Sequence, residues 1–350
     1  MKLDAKLDVN VPALLDMLST HLYKSEYVFT REMIQNCIDA LRMIVLDENR
    51  KSTDEDVKIL VYFTDNDSKM IFEDTGIGMS SDEIQQFYWT IGGSNKRRPE
   101  LIKHNVLGKF GIGNLSAFGI SKSVEVTTWK SNNQQIKCKV VKNDLLNNKR
   151  DFEIINSEEL DHYGTKISIE FEKIVKPTEI VKYIKKVVNF IPERIILNNE
   201  LISTQQFEKA DYSDYEIIGQ KSISIQNLVA NKTISQIAKL YYNAENENLI
   251  VEIQNKEENF YFDLELMPRP NNSFKIYINN YLISENTPLL NNLYYQGYIN
   301  TNIWKPDMSR DNLDDNSTRS LIRVFDQISM FICESLFNKC ILYKFNFIMN

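Results

Sequence analysis

Glycine is the residue type that most constrains this chain, because it is scarce and clustered. The 350 residues contain eleven glycines, and more than half of them lie in residues 76–113. Two segments contain regularly spaced glycines, EDTGIGM (73–79) and LGKFGIG (107–113). Glycines at such positions let the backbone approach a ligand more closely than a side chain would allow. The cluster therefore predicts a ligand-binding region.

The first pattern follows a predicted strand, KMIFED (69–74), which ends in an aspartate. The carboxylate of Asp74 can accept a hydrogen bond from an exocyclic amine, while Gly76 and Gly78 let the backbone come close to the same ligand. This combination favours a binding site for a nucleobase.

The second pattern has its glycines in G-x-x-G-x-G spacing, at Gly108, Gly111 and Gly113. Backbone N–H groups exposed by such glycines just before a helix are donors for phosphate. Alone, this spacing also fits a flexible loop. It does not follow the Rossmann layout, because no β-α-β unit surrounds it.

A helix predicted over residues 30–43, with Thr30 as its N-cap, carries three polar residues on one stripe. Glu32, Asn36 and Asp39 are spaced i, i+4 and i+7, so their side chains project from the same side. Taken alone, such a stripe fits a solvated helix face. Its position upstream of the two glycine patterns makes a functional stripe the alternative.

Composition limits the class of protein. The formal net charge of −7 and the pI near 5.3 argue against a protein that coats nucleic acid. No stretch approaches the roughly 18 consecutive apolar residues of a membrane helix. The N-terminus, MKLDAKLDVN, lacks the apolar core of a secretory signal, and the four cysteines have no C-x-x-C spacing. We expect a cytoplasmic protein with reduced thiols.

Periodicity divides the chain into two predicted domains. Strands at 57–64 and 69–74 form a hairpin, SSDEIQQFYWTIG is a helix opened by a Ser-x-x-Glu cap, and four alternating segments follow as strands of an antiparallel sheet. The pattern changes at the amphipathic helix EIVKYIKKVVNFI. We therefore predict domains at 1–172 and 173–350.

Four motifs occur in a fixed order: E-x-x-x-N-x-x-D-A, D-x-G-x-G, G-x-x-G-x-G and a late Gly164-Thr165. Together they resemble the GHKL ATPase superfamily. Four segments are similar to the ninety-kilodalton heat-shock chaperone branch of this superfamily, close to bacterial high-temperature protein G. They are FTREMIQNCIDAL, EDTGIGMS, TIGGSNKR and GKFGIGNLSAF. The resemblance implies an α+β chain: a two-layer α/β sandwich of the Bergerat (GHKL) ATP-binding fold, with a lid at about 91–113, followed by an α-β-α middle domain.

The second half supports the same branch. KIYINNYLI and the later WKPDMSRDNLDDN are similar to the middle domain of those chaperones, in which a loop carries a catalytic arginine. In this chain the loop is 305–314 and the arginine is Arg310. Nothing in the sequence matches the C-terminal dimerisation domain of the full-length chaperones.

The resemblance implies ATP and Mg²⁺ as ligands and assigns roles to individual residues. Glu32 is the expected general base, Asn36 the expected Mg²⁺ ligand, and Arg310 the residue that neutralises charge on the γ-phosphate. Asp74, helped by Thr165, is expected to accept from the adenine amine. The remaining expected nucleotide contacts are Asp39, Gly76, Gly78, Met79, Ser94, Lys96, Gly108, Gly111, Ile112 and Gly113.

Two positions depart from the chaperone pattern. Gly93 stands where the chaperones usually have a lysine, so Lys96 or Arg97 must replace it if any residue does. Asn114 stands where they have an aromatic residue.

The function expected from this pattern is slow ATP hydrolysis that drives a conformational clamp on client or partner proteins, with a nucleotide-dependent homodimer. One alternative is a GHKL ATPase that is not a chaperone, such as a DNA-acting clamp or a component of a defence or regulatory system. The other is an ATP sensor without turnover. The expected partners are proteins; nucleic acid and membranes are not expected.

Overall fold

A computed structural model describes residues 12–13, 27–48, 51–90, 93, 113–147, 149, 151–207, 211–255, 260–267, 273–285, 293–307 and 312–340. The chain divides into two compact units, Met1–Gln205 and Gln206–Asn350. Each unit contains one β-sheet and at least one helix, so the mixed α/β class predicted from the sequence is confirmed. No helix in the described ranges is both long enough and apolar enough to span a membrane.

The first unit is built on an eight-stranded sheet. Its elements in chain order are α1 (Val28–Glu48), β1 (Lys58–Thr64), β2 (Lys69–Asp74), α2 (Ser81–Glu83) continued by a π-helical turn (Ile84–Tyr88), a 3₁₀ helix (Gly113–Gly119), β3 (Ser121–Trp129), β4 (Ile136–Val141), α3 (Lys142–Leu146), β5 (Ile154–Asn156), β6 (Gly164–Phe171), α4 (Pro177–Val188), β7 (Arg194–Leu197) and β8 (Glu200–Leu201).

The strand order is β5-β4-β3-β6-β2-β1-β7-β8, and every pairing except that of β1 with β7 is antiparallel. The predicted hairpin of β1 and β2 is confirmed, with Ile59 opposite Asp74. The predicted Ser-x-x-Glu cap is confirmed as well, since Ser80 and Glu83 form a reciprocal capping box at the start of α2.

Helix α1 packs on the sheet through a continuous apolar face. Met33, Ile34 and Ile38 are fully buried, and the ring of Phe29 meets the rings of Phe72 and Phe171 edge to face. The helix begins at Val28, two residues before the predicted cap. Thr30 lies inside the helix and donates its hydroxyl to the carbonyl of Tyr27 at 2.7 Å.

The first unit extends beyond residue 172, where the sequence predicted its end. After the amphipathic helix α4, strand β7 pairs in parallel with β1, and β8 pairs with β7. A parallel neighbour needs a crossover connection, and α4 supplies it. The amphipathic helix therefore belongs to the first sheet, although its change of pattern predicted the start of the second domain.

The second unit contains a seven-stranded sheet and one described helix. Its elements are β9 (Glu216–Asn227), β10 (Lys232–Asn243), β11 (Asn248–Asn255), β12 (Phe260–Met267), β13 (Ser273–Ile278), β14 (Tyr281–Glu285), β15 (Tyr294–Thr301) and α5 (Asp315–Asn338). The strand order is β14-β13-β15-β12-β11-β10-β9, with β13 and β15 parallel.

Helix α5 forms the core of the second unit with one face of this sheet. The ring of Phe325 contacts the rings of Phe262, Phe274 and Tyr295 at centroid distances of 4.9–5.5 Å. Asp314 caps the helix by accepting from the N–H of Ser317 at 2.7 Å. The predicted arginine loop, 305–314, ends at this cap residue, and its residues 308–311 lie outside the described ranges.

Candidate functional site

Three adjacent strands bring three polar residues to one level of the first sheet. Asp74 on β2 is paired with Thr165 on β6, and Thr165 is paired with Thr128 on β3. All three are almost completely buried, and the two threonine hydroxyls are 3.0 Å apart. Two of these residues, Asp74 and Thr165, were predicted together from the sequence. Thr128 was missed, because in the strand VEVTTW it looks like any other threonine.

The carboxylate of Asp74 is only 2% exposed and accepts a hydrogen bond from the backbone N–H of Gly76 at 2.9 Å. Burial raises the pKa of Asp74 to about 7, although the N–H of Gly76 and the thiol of Cys37 on α1 both favour the ionised form. A buried acceptor with a pKa near neutrality is typical of a ligand site. Cys37 was not among the site residues predicted from the sequence.

The loop after Asp74 is held tightly by its neighbours. Gly76 packs against Ala40 of α1, so that a Cβ at this position would overlap with the Ala40 side chain. Gly78 has a φ of +64° and lies against the carbonyl of Trp129, where only glycine fits without strain. The next residue, Met79, donates its N–H to the hydroxyl of Thr128 at 2.9 Å.

Helix α1 supplies the predicted polar stripe, but its three members meet different surroundings. Glu32 is 4% exposed, and its carboxylate lies so close to Gly113 that a side chain there would collide with it. Asn36 is half-buried and donates its side-chain N–H to Asn114. The stripe is therefore not a solvated face.

Asp39, the third member, is fully buried near an ion pair. Arg42 binds Glu193 through two hydrogen bonds of 2.7 and 3.1 Å. Burial lowers the pKa of Arg42, but the carboxylates of Glu193 and Asp39 outweigh this effect and raise it. Asp39 thus interacts with Arg42 on the same helix, besides its predicted role in ligand binding.

Two further residues lie beside this stripe. Asn114, at the start of the 3₁₀ helix, accepts from Asn36 at 2.6 Å and donates to the carbonyl of Tyr88 at 2.7 Å. The Tyr88 hydroxyl is buried and has no hydrogen-bond partner in the described part of the chain. Its pKa is raised well above its usual value by burial and by nearby Cys138, Cys37 and Asp74.

Gly93, which replaces the expected lysine, occupies a tight turn. Its N–H donates to the carbonyl of Thr90 at 2.9 Å, and a Cβ would collide with the carbonyl of Gln86. The turn therefore requires glycine at this position. Several predicted site residues lie outside the described ranges: Ser94, Lys96, Arg97, Gly108, Gly111, Ile112 and Arg310.

The described residues fit a nucleotide with its Mg²⁺. The backbone at Gly76 and Gly113 lies so close to Asp74 and Glu32 that a Cβ would collide with their carboxylates, and the orphaned hydroxyl of Tyr88 is a buried polar atom close to Asp74. The amide oxygen of Asn36 is a ligand of the kind that Mg²⁺ accepts when phosphates supply others.

Comparison with known proteins agrees with this geometry. Residues 24–173 match the family model of histidine kinase-, DNA gyrase B-, and HSP90-like ATPases. This region is an ATPase domain of that family. It contains every described residue of the candidate site, from Glu32 to Thr165, whereas strands β7 and β8 lie beyond its end.

The curated relatives carry the name chaperone protein HtpG. The chain is 26% identical to the HtpG of Borreliella afzelii over 91% of its own length and 56% of the relative, and 24% identical to that of Buchnera aphidicola over 94% and 56%. Identity to the Bacillus subtilis HtpG is 34%, over 32% of the chain and 20% of the relative. The chain is thus similar to HtpG at low identity and spans about half the length of these relatives.

Proposed function

We propose that this chain binds ATP with Mg²⁺ and hydrolyses it slowly, and that the cycle drives a clamp-like change that acts on client or partner proteins. The observation that carries the proposal is the convergence of Asp74, Thr165, Glu32 and Asn36 on one side of the first sheet. Membership of the ATPase family and the HtpG relatives support it.

Recognition of the base is assigned to Asp74. Its buried carboxylate accepts from the exocyclic amine of adenine, and the glycine at position 76 lets the following backbone lie close to that carboxylate. Thr165 and Thr128 hold each other by their hydroxyls, and Thr128 in turn holds Met79. This network keeps the loop after Asp74 in position before the ligand arrives.

Hydrolysis is assigned to Glu32. Its carboxylate takes a proton from the attacking water, the water oxygen bonds to the γ-phosphorus, and the bond from that phosphorus to the β,γ-bridging oxygen breaks, with ADP leaving. Asn36 would hold Mg²⁺ through its amide oxygen, and the ion would supply neutralisation of charge on the phosphates. Close contact between Glu32 and Gly113 supports this role, because it brings the base to the predicted phosphate-binding backbone.

The substitution Glu32→Ala tests the proposal. It removes a group that addresses the water and not the nucleotide, so kcat should fall by about 10²–10⁴-fold, the usual contribution of a general base. Nucleotide affinity should stay close to that of the parent. Glu158→Ala is the matched control, since Glu158 is an exposed glutamate of the same unit.

The measurements are phosphate release at steady state and calorimetric titration with a non-hydrolysable ATP analogue. A Glu32→Ala variant that turned over at the parental rate would refute the assignment of the base. A parent that binds ATP without any turnover would support the alternative of an ATP sensor. Addition of the analogue should also convert the parent to a dimer in light scattering if the clamp closes on nucleotide.

A further inference from the structure

Asn114 forms two hydrogen bonds that connect three elements around the candidate site. It accepts from the side-chain N–H of Asn36 on α1 at 2.6 Å and donates its own amide N–H to the carbonyl of Tyr88 at 2.7 Å. Tyr88 is the last residue of the π-helical turn, and Asn114 is the second residue of the 3₁₀ helix.

The direction of these bonds follows from the chemistry of the groups. A backbone carbonyl can only accept, so the NH₂ end of the Asn114 amide must face Tyr88. Its oxygen then faces Asn36, and an oxygen can be met there only by the NH₂ end of the Asn36 amide. The carbonyl of Tyr88 thus determines the orientation of both side-chain amides.

We infer that Asn114 is a positioning residue that fixes the orientation of the Asn36 amide, so that Asn36 presents its oxygen and not its nitrogen to Mg²⁺. The inference rests on the proposed function, because it needs Mg²⁺ at Asn36. It extends that function to a residue at which this chain departs from the chaperone pattern. An aromatic side chain could not accept the Asn36 N–H in the same way.

The physical reason is the cost of a misdirected amide. A free Asn side chain can rotate by half a turn about its last bond and present NH₂, which is a donor and cannot bind a cation. A partner that holds a metal ligand in the correct orientation typically affects metal affinity or activity by about 10–100-fold. Asn114 provides such a partner without touching the metal.

Two substitutions test this role in the full chain. Asn114→Ala removes both hydrogen bonds, and Asn114→Leu removes them while keeping a side chain of similar size. The matched control is Asn189→Ala, which breaks another side-chain amide pair of the first unit, between Asn189 and Gln205. Nucleotide affinity is measured by calorimetry with ADP, once in EDTA and once in excess Mg²⁺.

Both Asn114 variants should bind ADP in EDTA as the parent does, whereas the gain in affinity on adding Mg²⁺ should fall by about 10-fold or more. The Asn189 control should keep the full gain. In an Asn36→Ala background, Asn114→Ala should have no further effect, because the two residues act through one interaction.

A full Mg²⁺-dependent gain in both Asn114 variants would overturn the inference while leaving the proposed function intact. So would loss of metal-free ADP binding, since Asn114 would then act on the fold or the nucleotide and not through Asn36. Additive effects in the double variant would overturn it too. A parent that binds no nucleotide under either condition would remove the proposed function and this inference together.

Discussion

The substitution Asp74→Asn gives the sharpest test of base recognition, because it changes hydrogen-bonding capacity with little change in shape. The new amide can still accept from the N–H of Gly76, but its other atom becomes a donor. That donor then faces the adenine amine, which is also a donor. A mismatched buried polar group costs about 1–3 kcal/mol, which corresponds to a loss of affinity of about 5–150-fold.

Asp74→Asn should weaken nucleotide binding but should increase the stability of the free protein at pH 8. Folding raises the pKa of Asp74 from its usual value to about 7, so the native state favours the protonated form. The stability that this shift contributes is fully present below the unfolded pKa and is lost as the pH rises through 7. At pH 8 the Asn variant, which buries no charge, should therefore unfold at a higher temperature than the parent.

The pH dependence of nucleotide binding gives a second test of the contact between Asp74 and adenine. With a pKa near 7, Asp74 is roughly nine-tenths ionised at pH 8 and one-tenth ionised at pH 6, so parental affinity should fall by about tenfold between them. The nucleotide phosphates also titrate, and the ratio of parent to variant affinity removes their contribution. This ratio should decrease on acidification.

Calorimetry with ADP at pH 6, 7 and 8 and thermal unfolding of the free proteins are the assays. Asp67→Asn is the control, because Asp67 lies in the exposed turn at the other end of the same hairpin. Equal ADP affinity in the parent and Asp74→Asn at pH 8 would refute the adenine contact. Weaker binding together with a lower unfolding temperature would show that the variant had lost its fold, and not a specific contact.

Three further predictions concern other residues. Arg310→Ala should lower kcat by about 10²-fold or more, as loss of an arginine finger does, with nucleotide affinity unchanged; equal turnover in phosphate-release assays would contradict the predicted catalytic role. Tyr88→Phe should not destabilise the free protein in thermal unfolding, because the lost hydroxyl has no partner in the described residues, and a clear loss would reveal one. Glu193→Ala should destabilise the first unit by about 3–5 kcal/mol in denaturant titrations, since it removes the buried carboxylate that accepts two hydrogen bonds from Arg42, whereas Glu200→Ala in an exposed pair should cost under about 1 kcal/mol.

Much of the site could be predicted from the sequence because its residues are carried by local patterns. Glu32 and Asn36 share a face by helix geometry alone, and Asp74 ends a strand whose alternation is clear. Thr165 could be predicted only from the family resemblance, because it is strand pairing, and not a local pattern, that brings it beside Asp74. The roles of all these residues in ligand binding or catalysis remain predictions, as do those of Ser94, Lys96 and Arg310.

Other parts could not be read from local patterns. Thr128 enters the site through the register of β3 with β6, which the sequence of β3 does not specify. In the sequence, Asn114 was only a departure from the chaperone pattern. The structure shows that it forms hydrogen bonds with Tyr88 and Asn36, which are 26 and 78 residues away along the chain. The boundary near 172 was misplaced for a similar reason: a change of periodicity indicates a new element, not a new unit.

Helix α1 gives a physical reason why the first unit extends beyond residue 173, where the family match ends. Toward its N-terminal end, α1 carries Glu32 and Asn36, whose positions relative to the sheet decide whether the site can work. Toward its C-terminal end, Arg42 is held by Glu193, which precedes β7, and Ser52 donates to the same carboxylate at 3.1 Å. Because α1 is one rigid element, an anchor at Arg42 also limits movement at Asn36. Glu193, which lies after residue 173, therefore helps to hold α1 in place beside the candidate site.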